Sequence, residues 1–436
     1  MPVGSTWYWQ HGAIVQKTPG TESLSPMSAN HTPGALLTAL DMQVVKHLLP
    51  TYVVMHGLPI SKVVPPSHYQ RMLGELALCT RGAMEGVQQD VSDEEISARP
   101  DPQSCNILPW RSDTSWYASD LWCEGKPFEP CCRNILGRVL INAASMGYGV
   151  NAGIEGEFFV LQNEAGGGFQ PFNKCGNQAK PAYDVARLIE NLPWLGELVD
   201  AMNKLGWGVY SFDHTGGIGQ FEIYFKYFGA RSVADCMVFL PLMAYEIARR
   251  HGKFASFMTK PYADRAGSGA HFNIFLFDLK SKRNLIESRD DPRGCSLSGL
   301  GYHFIADVLK HRPAICAVVA PTDNSYKLLV PKGAMPGVTW ASIFVSNGSN
   351  NRTNTVMIPL GGGRVELRFP DAVCNSYLGL AMTIAAMLEG VREQFDQLSP
   401  TWRTCTSRPS RSSTPSACRA FHRHLGRPLM RSRLIR

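Results

Sequence analysis

Two glutamates, Glu155 and Glu157, lie two residues apart in an apolar segment that favours a β-strand. A strand directs residues i and i+2 to the same face, so the two carboxylates would share one face. Like charges on a half-buried face repel each other unless a cation lies between them. Hard divalent cations such as Mg²⁺ prefer carboxylate oxygens. The pair therefore indicates a metal site, with the exposed face of an edge strand as the alternative.

Three later segments alternate polar and apolar residues in the same way and favour the metal site over the exposed face. The polar residues on these strand faces are Gln220, Glu222, Tyr224, His271, Asn273, Arg364, Glu366 and Arg368. One such strand is ordinary protein surface. Four of them predict a polar funnel lined by a sheet, with carboxylates and a histidine for a metal and arginines for phosphate.

Composition and cysteine usage predict a globular cytoplasmic protein. The chain has 436 residues, of which 44% are apolar. No apolar stretch approaches the roughly 20 residues that span a bilayer, and the N-terminus lacks the pattern of a signal peptide. The twelve cysteines are scattered without a CxxC pair. This spacing argues against a zinc site or a disulfide scaffold and favours reduced thiols.

The net charge of +7 is concentrated in the C-terminal tail, residues 401–436. This tail contains nine arginines and no Asp, Glu or Lys, so subtracting its arginines leaves −2 for the first 400 residues. A basic Arg/Ser/Pro segment could bind RNA or an anionic membrane. It lacks the interleaved aromatic residues of a stacking platform. We therefore predict no nucleic-acid partner and no membrane partner.

The ordered motifs of the chain resemble those of glutamine synthetases. The motifs are EGEFF, GQFEIYF, FMTKP, GSGAHFN, NSYKLLVP, NNRT and RVELRFPD. The resemblance is strongest to type III glutamate–ammonia ligases and glutamate–methylamine ligases (γ-glutamylmethylamide synthetases), and it runs from about Tyr52 to about Gln394. Each motif alone is weak, whereas their order along the chain is specific.

The resemblance implies an α+β fold in two parts. Residues 36–109 would form a small β-grasp domain, and residues 110–400 a catalytic domain whose curved antiparallel sheet lines the funnel. Residues 1–35 would be an irregular leader. A hairpin is predicted at Val53–Val64, with its turn at His-Gly. Apolar residues at a spacing of three to four predict helices at Arg133–Met146, Val185–Leu205, Ser232–His251, Gly299–His311 and Tyr377–Gln394.

The resemblance also implies two bound divalent cations, Mg²⁺ or Mn²⁺, and ATP as a substrate. The ligands of the cation that contacts the nucleotide phosphates match Glu155, His271 and Glu366. Two of the three ligands of the cation that orients glutamate match Glu157 and Glu222.

The third ligand of this second site, a glutamate in the family, corresponds to Thr215. Asp213 and His214 both remain open as substitutes. The second site is therefore expected to be weakened and not abolished, because Mg²⁺ readily keeps water ligands.

Further site residues follow from the same resemblance. Arg352 matches an arginine near the transferring phosphoryl group, and Arg364 and Arg368 match residues that handle phosphate and the carboxyl groups of glutamate. Asn273 takes the position of a second histidine on the nucleotide side. Gly267 matches the glycine of the loop that receives the amino acid.

Two positions depart from the family pattern by losing a positive charge. Leu328 stands where the family has a glutamate-binding arginine, and Met357 where it has a second phosphate-binding arginine. Each lost charge-assisted contact would cost roughly 1.5–3 kcal/mol.

The amine substrate must lose a proton before it attacks, which requires a nearby carboxylate. In the family, part of this role belongs to the N-terminal domain of a neighbouring subunit, and Glu85 is the candidate equivalent here. The acid carried by the flap of ordinary glutamine synthetases would fall near residues 332–336, which contain none. This absence favours an alkylamine over ammonia.

The sequence thus predicts an ATP-dependent ligase that joins glutamate to ammonia or a small alkylamine such as methylamine through γ-glutamyl phosphate. Self-association into a ring oligomer, a dodecamer or a related number, is expected from the family. A ligase with another acid substrate, and a catalytically impaired homologue that acts as a binding or assembly subunit, remain as alternatives. A frameshift near Pro400 is a further hypothesis that would explain the arginine-rich tail.

Overall fold

The computed structural model describes the chain from residue 44 to residue 395 with internal gaps. The gaps are residues 75–77, 81–83, 85–86, 88–89, 91, 165, 173–180 and 330–339. Outside this range it describes strands β1 (Thr6–Gln10) and β2 (Ala13–Lys17), which pair antiparallel within the segment predicted to be irregular, and residues 419–420.

A small sheet forms the N-terminal part. Its strands are β3 (His47–Val53), β4 (Pro59–Ser61), β5 (Leu78–Cys79), β6 (Ile96–Pro100), β7 (Asn106–Leu108), β8 (Arg111–Cys123) and β9 (Lys126–Pro127). The order is β4-β3-β8-β6-β5, with β7 and β9 also paired to β8. Strands β3 and β4 form a hairpin whose turn contains the predicted His-Gly pair, with Gly57 at a positive φ of 84°, but its first strand ends at Val53, where the prediction began.

The central strand of this sheet lies beyond the predicted domain boundary at residue 109. Strand β8 pairs in parallel with β3 and antiparallel with β6. A boundary after residue 109 would separate β8 from its hydrogen-bonded partners. The strand pairing therefore joins residues 111–123 to the small sheet, across the boundary predicted after residue 109, and the division into domains stays a prediction.

The second sheet carries the candidate site. Its strands are β10 (Tyr148–Asn163), β11 (Phe169–Pro171), β12 (Val209–His214), β13 (Gln220–Phe225), β14 (Phe228–Gly229), β15 (Phe254–Ser256), β16 (Ala270–Asp278), β18 (Asn347–Ser349), β19 (Val356–Ile358) and β20 (Val365–Leu367). The order is β12-β13-β10-β16-β20-β19-β18, and β11, β14 and β15 also pair with β10. Strands β17 (Phe344–Val345) and β21 (Arg419–Ala420) pair separately.

The short helix α1 (Tyr69–Met72) packs in the small part, in a core that includes Leu48 of β3 and Tyr117 of β8. The other helices share the main hydrophobic core with the large sheet. They are α2 (Cys132–Ser145), α3 (Val185–Lys204), α4 (Ala230–Arg250), α5 (Gly299–Val319), α6 (Asp323–Tyr326) and α7 (Ser376–Arg392). The five predicted helices are present, and α5 continues eight residues beyond its predicted end, through Pro313. Burial of Ile315, Cys316 and Val319 in the core outweighs the lost backbone hydrogen bond. Among the described residues, no helix combines the length and apolar character needed to cross a bilayer.

The apolar face of the large sheet is fully buried, which leaves the other face to the polar residues. Ile154, Phe158, Phe272, Ile274 and Leu367 all belong to one hydrophobic core together with residues of the helices. Burying each such side chain contributes about 1.5–3 kcal/mol. Because strand side chains alternate, this burial also fixes which residues face the funnel.

A buried arginine connects the two parts of the molecule. Arg133 of α2 donates to both carboxylate oxygens of Asp235 at 2.9 and 3.0 Å, and it pairs with Asp101 and Asp120 of the small domain at 2.8 and 3.0 Å. The Tyr377 hydroxyl also donates to Asp235 at 2.6 Å. The network holds the small sheet against the helices that support the large one.

Candidate active site

The strand register brings the predicted site residues to one face of the large sheet. Residues directly opposite each other on paired antiparallel strands share a face. The pairs are Glu155 with His271, Glu157 with Glu222, and Asn273 with Glu366. The three pairs lie on neighbouring strands, so the structure brings all five predicted metal ligands together.

These ligands form two groups that could each hold a metal ion. Within each group the ligand atoms lie within 4.8 Å of one another: Glu155, His271 and Glu366 form one group, and Glu157, Glu222 and His271 the other. Carboxylate oxygens and an imidazole nitrogen suit Mg²⁺ or Mn²⁺. We call the first group with Asn273, Arg364 and Arg368 the phosphate half, and Glu157, Glu222, Gln220, Gly267 and Leu328 the amino-acid half.

The electrostatics of both groups favour a cation. Burial, and then the charge of Arg368, lowers the pKa of His271 to about 4, so that this ligand is neutral at pH 7. Burial, and then the neighbouring Glu157 and Glu155, raises the pKa of Glu222 well above its usual value. A cation between the carboxylates would relieve this repulsion, so the donor set fits the metal that the sequence predicts.

Hydrogen bonds connect the ligands of the phosphate half to its arginines. Asn273 Nδ2 donates to Glu155 Oε1 at 2.9 Å, and Arg364 Nε donates to Asn273 Oδ1 at 2.7 Å. Arg368 Nη1 donates to the carboxylate of Glu366. Asn273, predicted to bind the nucleotide, thus bridges a metal ligand and an arginine.

Arg352 faces the funnel from a loop. Burial is the largest influence on two nearby groups, raising the pKa of Asp213 to about 6 and lowering that of His271 to about 4, and the positive charge of Arg352 makes a smaller downward contribution to each. The Arg352 side chain also lies 5.9 Å from the centroid of the Trp340 ring, and its backbone oxygen accepts a hydrogen bond from Arg368 Nε at 2.8 Å. This exposed position is compatible with its predicted contact to a transferring phosphoryl group.

Gln220 organises the amino-acid half, a role that the sequence reasoning missed. Its Nε2 donates to Glu157 Oε2 at 3.1 Å and to the Gly267 backbone oxygen at 2.9 Å. Its Oε1 accepts from the Gly217 backbone nitrogen at 2.8 Å. The available signal was its place two residues before Glu222, on the same strand face.

Close packing around Gly267 places Leu328 beside the predicted substrate loop. A Cβ at Gly267 would lie 2.6 Å from the Thr259 backbone oxygen and 2.8 Å from Leu328 Cδ1. Only glycine fits at such distances. Met357, the other departure from the family pattern, is buried directly opposite Glu366.

Two predicted features of amine activation lie outside the described residues. They are Glu85 and the segment of residues 332–336. Both remain predictions from the sequence.

Comparison with known proteins identifies the class and the family. Residues 129–422 match the family described as "Glutamine synthetase, catalytic domain". The fold and the site, together with this match, define an ATP-dependent carbon–nitrogen ligase. The chain belongs to the glutamine synthetase family.

Relatives in two groups match over most of their length. The chain is 36% identical over 357 residues to the glutamate–methylamine ligase of Methyloversatilis universalis, an alignment that covers 82% of this chain and 80% of that protein. It is 34% identical over 352 residues to the glutamine synthetase of Rhizobium leguminosarum bv. phaseoli, covering 81% and 79%. A solved structure described as a GmaS/ADP complex superposes with a TM-score of 0.77 at 33% identity, covering 83% and 82%. The predicted family and fold class are confirmed.

Proposed function

We propose that this protein joins glutamate to a small alkylamine of the methylamine class, using ATP and forming γ-glutamyl phosphate as the intermediate. The observation that carries the proposal is the pair of ligand groups that share His271 and border on Arg364 and Arg368. Similarity to a glutamate–methylamine ligase supports the choice of amine. So does the lack of an acid at residues 332–336.

The phosphate half suits the first chemical step. A side-chain carboxylate oxygen of glutamate would attack the γ-phosphorus of ATP, and the bond to the ADP oxygen would break. Arg352, Arg364 and Arg368 would stabilise the negative charge on the transferring group. Glu155, Glu366 and neutral His271 would hold a divalent cation, which supplies Lewis-acid neutralisation of phosphate charge when it is bound.

The amino-acid half suits the second step. The neutral amine would attack the acyl carbon of the intermediate, and the bond to the phosphate oxygen would break to release phosphate. Gln220 fixes both Glu157 and the loop at Gly267, so it would hold the acid substrate in place during this attack. The proton lost by the amine would pass to a carboxylate, for which Glu85 is the proposed acceptor.

A ring assembly is part of the same proposal, because the acceptor would come from a neighbouring subunit. Analytical ultracentrifugation of the full chain tests it. Sedimentation as a monomer at assay concentration would argue against an acceptor supplied by another subunit.

A second candidate is a ligase with a less charged acid substrate or an impaired homologue that binds without turnover. The observation that favours it is the apolar Leu328 against Gly267, where a charged substrate group would require a cationic partner. Only turnover separates this candidate from the first.

The deciding experiment measures ATP-dependent phosphate release with Mg²⁺ or Mn²⁺, glutamate, and ammonia, methylamine, ethylamine or larger amines, with mass detection of the product. Turnover with one amine, lost in Glu366→Ala, is the expected result. Folded protein that binds ATP but turns over no amine would contradict the proposal and favour the second candidate.

A further inference from the structure

Strand β12 places an additional carboxylate next to the amino-acid half. Asp213 lies directly opposite Glu222, which in turn lies directly opposite Glu157. Three carboxylates therefore form a row across adjacent strands β12, β13 and β10, all on the face of the funnel. The row continues the ligand group of Glu157 and Glu222 toward the edge of the sheet.

The neighbouring residues on the chain are committed to the backbone of the turn. His214 is 1% exposed, and its Nε2 accepts from the Gly219 backbone nitrogen at 3.1 Å. Its Nδ1 therefore carries the proton and donates to the Thr215 backbone oxygen at 3.1 Å. Both ring nitrogens are used, so His214 has no lone pair for a metal. The Thr215 backbone nitrogen donates to the Gln220 backbone oxygen at 3.0 Å. The Thr215 side chain offers only an uncharged hydroxyl in place of a carboxylate.

Asp213, in contrast, has a carboxylate oxygen that is available to bind a metal ion. Its Oδ1 is buried and has no hydrogen-bond partner among the described residues. Tyr224 lies two residues after Glu222 on the same strand face and diagonally opposite Asp213, so its hydroxyl is placed to donate to one of the two carboxylates. A buried carboxylate oxygen without a donor costs free energy unless something binds it.

We infer that Asp213 is the third carboxylate ligand of the cation in the amino-acid half, a role that the sequence left open between Asp213 and His214. This inference rests on the proposed two-cation function. Asp213 is not in either group of atoms within 4.8 Å, so its carboxylate must turn toward Glu222 when a cation binds. The hydroxyl of Tyr224 would then hold the carboxylate in the turned position.

Manganese binding tests the inference independently of turnover. The full chain is titrated with Mn²⁺ in the absence of nucleotide and glutamate, and free Mn²⁺ is measured by electron paramagnetic resonance. We expect two bound ions per chain in the unaltered protein. Asp213→Asn should weaken one of them by at least the 10–100-fold that loss of an outer-shell partner costs, and leave the other unchanged.

Matched variants separate a ligand from a structural role. Asp213→Glu keeps the carboxylate and should retain most of the affinity, whereas Glu222→Gln should weaken the same ion as Asp213→Asn. Asp290→Asn is the control: it removes an exposed carboxylate distant in sequence from the site, and it should bind Mn²⁺ as the unaltered protein does. Adding Thr215→Glu to Asp213→Asn should recover affinity, because it returns a carboxylate to the same turn. Circular dichroism checks that each variant folds, and Asp213→Ser replaces Asp213→Asn if that variant does not.

The outcomes distinguish this inference from the proposed function. If folded Asp213→Asn binds both ions like the unaltered protein, the inference is overturned and the two-cation ligase stands. If Asp213→Asn weakens both ions equally, or if Thr215→Glu recovers nothing, Asp213 is not a ligand of one site and the inference is overturned. If the unaltered protein binds no Mn²⁺, the proposed function fails and this inference fails with it.

Discussion

The two halves of the funnel differ in how their negative charge is balanced. In the phosphate half, Arg368 contacts Glu366 directly, and Arg364 reaches Glu155 through Asn273. In the amino-acid half, Glu157 accepts from the Gln220 amide and from the Gly269 backbone nitrogen, both of which are neutral.

The consequence of this difference is visible in the pKa values of two acids, one in the amino-acid half and one next to it. Burial raises the pKa of Asp213 to about 6, and burial and neighbouring carboxylates raise that of Glu222 well above its usual value. The negative charge of the phosphate half is therefore balanced by its own arginines, whereas the carboxylates of the amino-acid half need a bound cation for charge balance. Thr215 and Leu328, which both depart from the family pattern, lie in or next to the amino-acid half, whose negative charge is less well balanced.

Removing a ligand from the phosphate half should have the largest effect on turnover. Glu366→Ala deletes one carboxylate and leaves Arg368 without its acidic partner, so we expect the rate of phosphate release to fall on the order of 10³-fold. The measurement is steady-state phosphate release with the best amine, with Asp290→Asn as the control. A rate within tenfold of the unaltered protein would show that this half is not the catalytic centre.

Adding a positive charge to the amino-acid half should change the binding of glutamate without changing the binding of ATP. Leu328→Arg would place a guanidinium beside Gly267, within the region predicted to receive the amino acid. We expect KM for glutamate to fall roughly 10–100-fold, the value of one charge-assisted hydrogen bond, with KM for ATP unchanged. Leu328→Met is the control for size. An equal change in both KM values would mean that the two halves are not separate in function.

Asp371 lies between a strand of the phosphate half and the loop of the amino-acid half, and its titration should make the stability of the fold depend on pH. Asp371 follows the β20 segment and accepts from the Thr259 hydroxyl at 2.8 Å, at the loop that leads to Gly267. Burial raises the pKa of its carboxyl to about 6. The folded state therefore holds this proton more tightly than the unfolded chain, and the stabilisation present at low pH is lost as pH rises through 6.

Urea denaturation between about pH 4.5 and pH 7.5 measures this loss. The free energy of unfolding of the unaltered protein, relative to that of Asp371→Asn, should fall by about 2 kcal/mol over the range. Because Asp371→Asn has no carboxyl to titrate at this position, the prediction concerns how the difference in free energy of unfolding between the two proteins changes with pH, and not its absolute size. A difference that is constant or rises with pH would show that the carboxyl is not protonated in the fold.

Removing neutral hydrogen bonds from the amino-acid half, without removing a charge, should have the smallest effect on activity. Gln220→Met removes the hydrogen bonds to Glu157 and to the Gly267 oxygen, each of which contributes about 0.5–0.7 kcal/mol, at the low end of the usual range for a neutral donor. We expect kcat/KM for glutamate to fall about 5–10-fold with ATP saturating. Gln103→Met, an exposed position in the small domain, is the control. A loss as large as that of Glu366→Ala would mean that Gln220 takes part in the chemistry.

The metal ligands could be predicted from the sequence because their signal is local. Glu155 and Glu157 reveal a shared strand face by their spacing alone, and the order of the motifs then assigns Glu222, His271 and Glu366 to the same funnel. The role of Gln220 could not be predicted in this way, because its partners Glu157 and Gly267 lie 63 and 47 residues away along the chain. The end of α5 was misplaced because the local signal of Pro313 was overridden by burial of the residues that follow.

The sequence by itself determined the family, the α+β fold class, the faces of the strands and the residue types that can hold cations and phosphate. It did so because alternation, periodicity and motif order are properties of neighbouring residues. Only the tertiary structure decided that Asp213, and not His214, lies on the funnel face, since the register of β12 against β13 sets the faces of that strand. It likewise placed Leu328 against Gly267 and gave β8 to the small sheet, because long-range packing and strand pairing join residues that no local pattern connects.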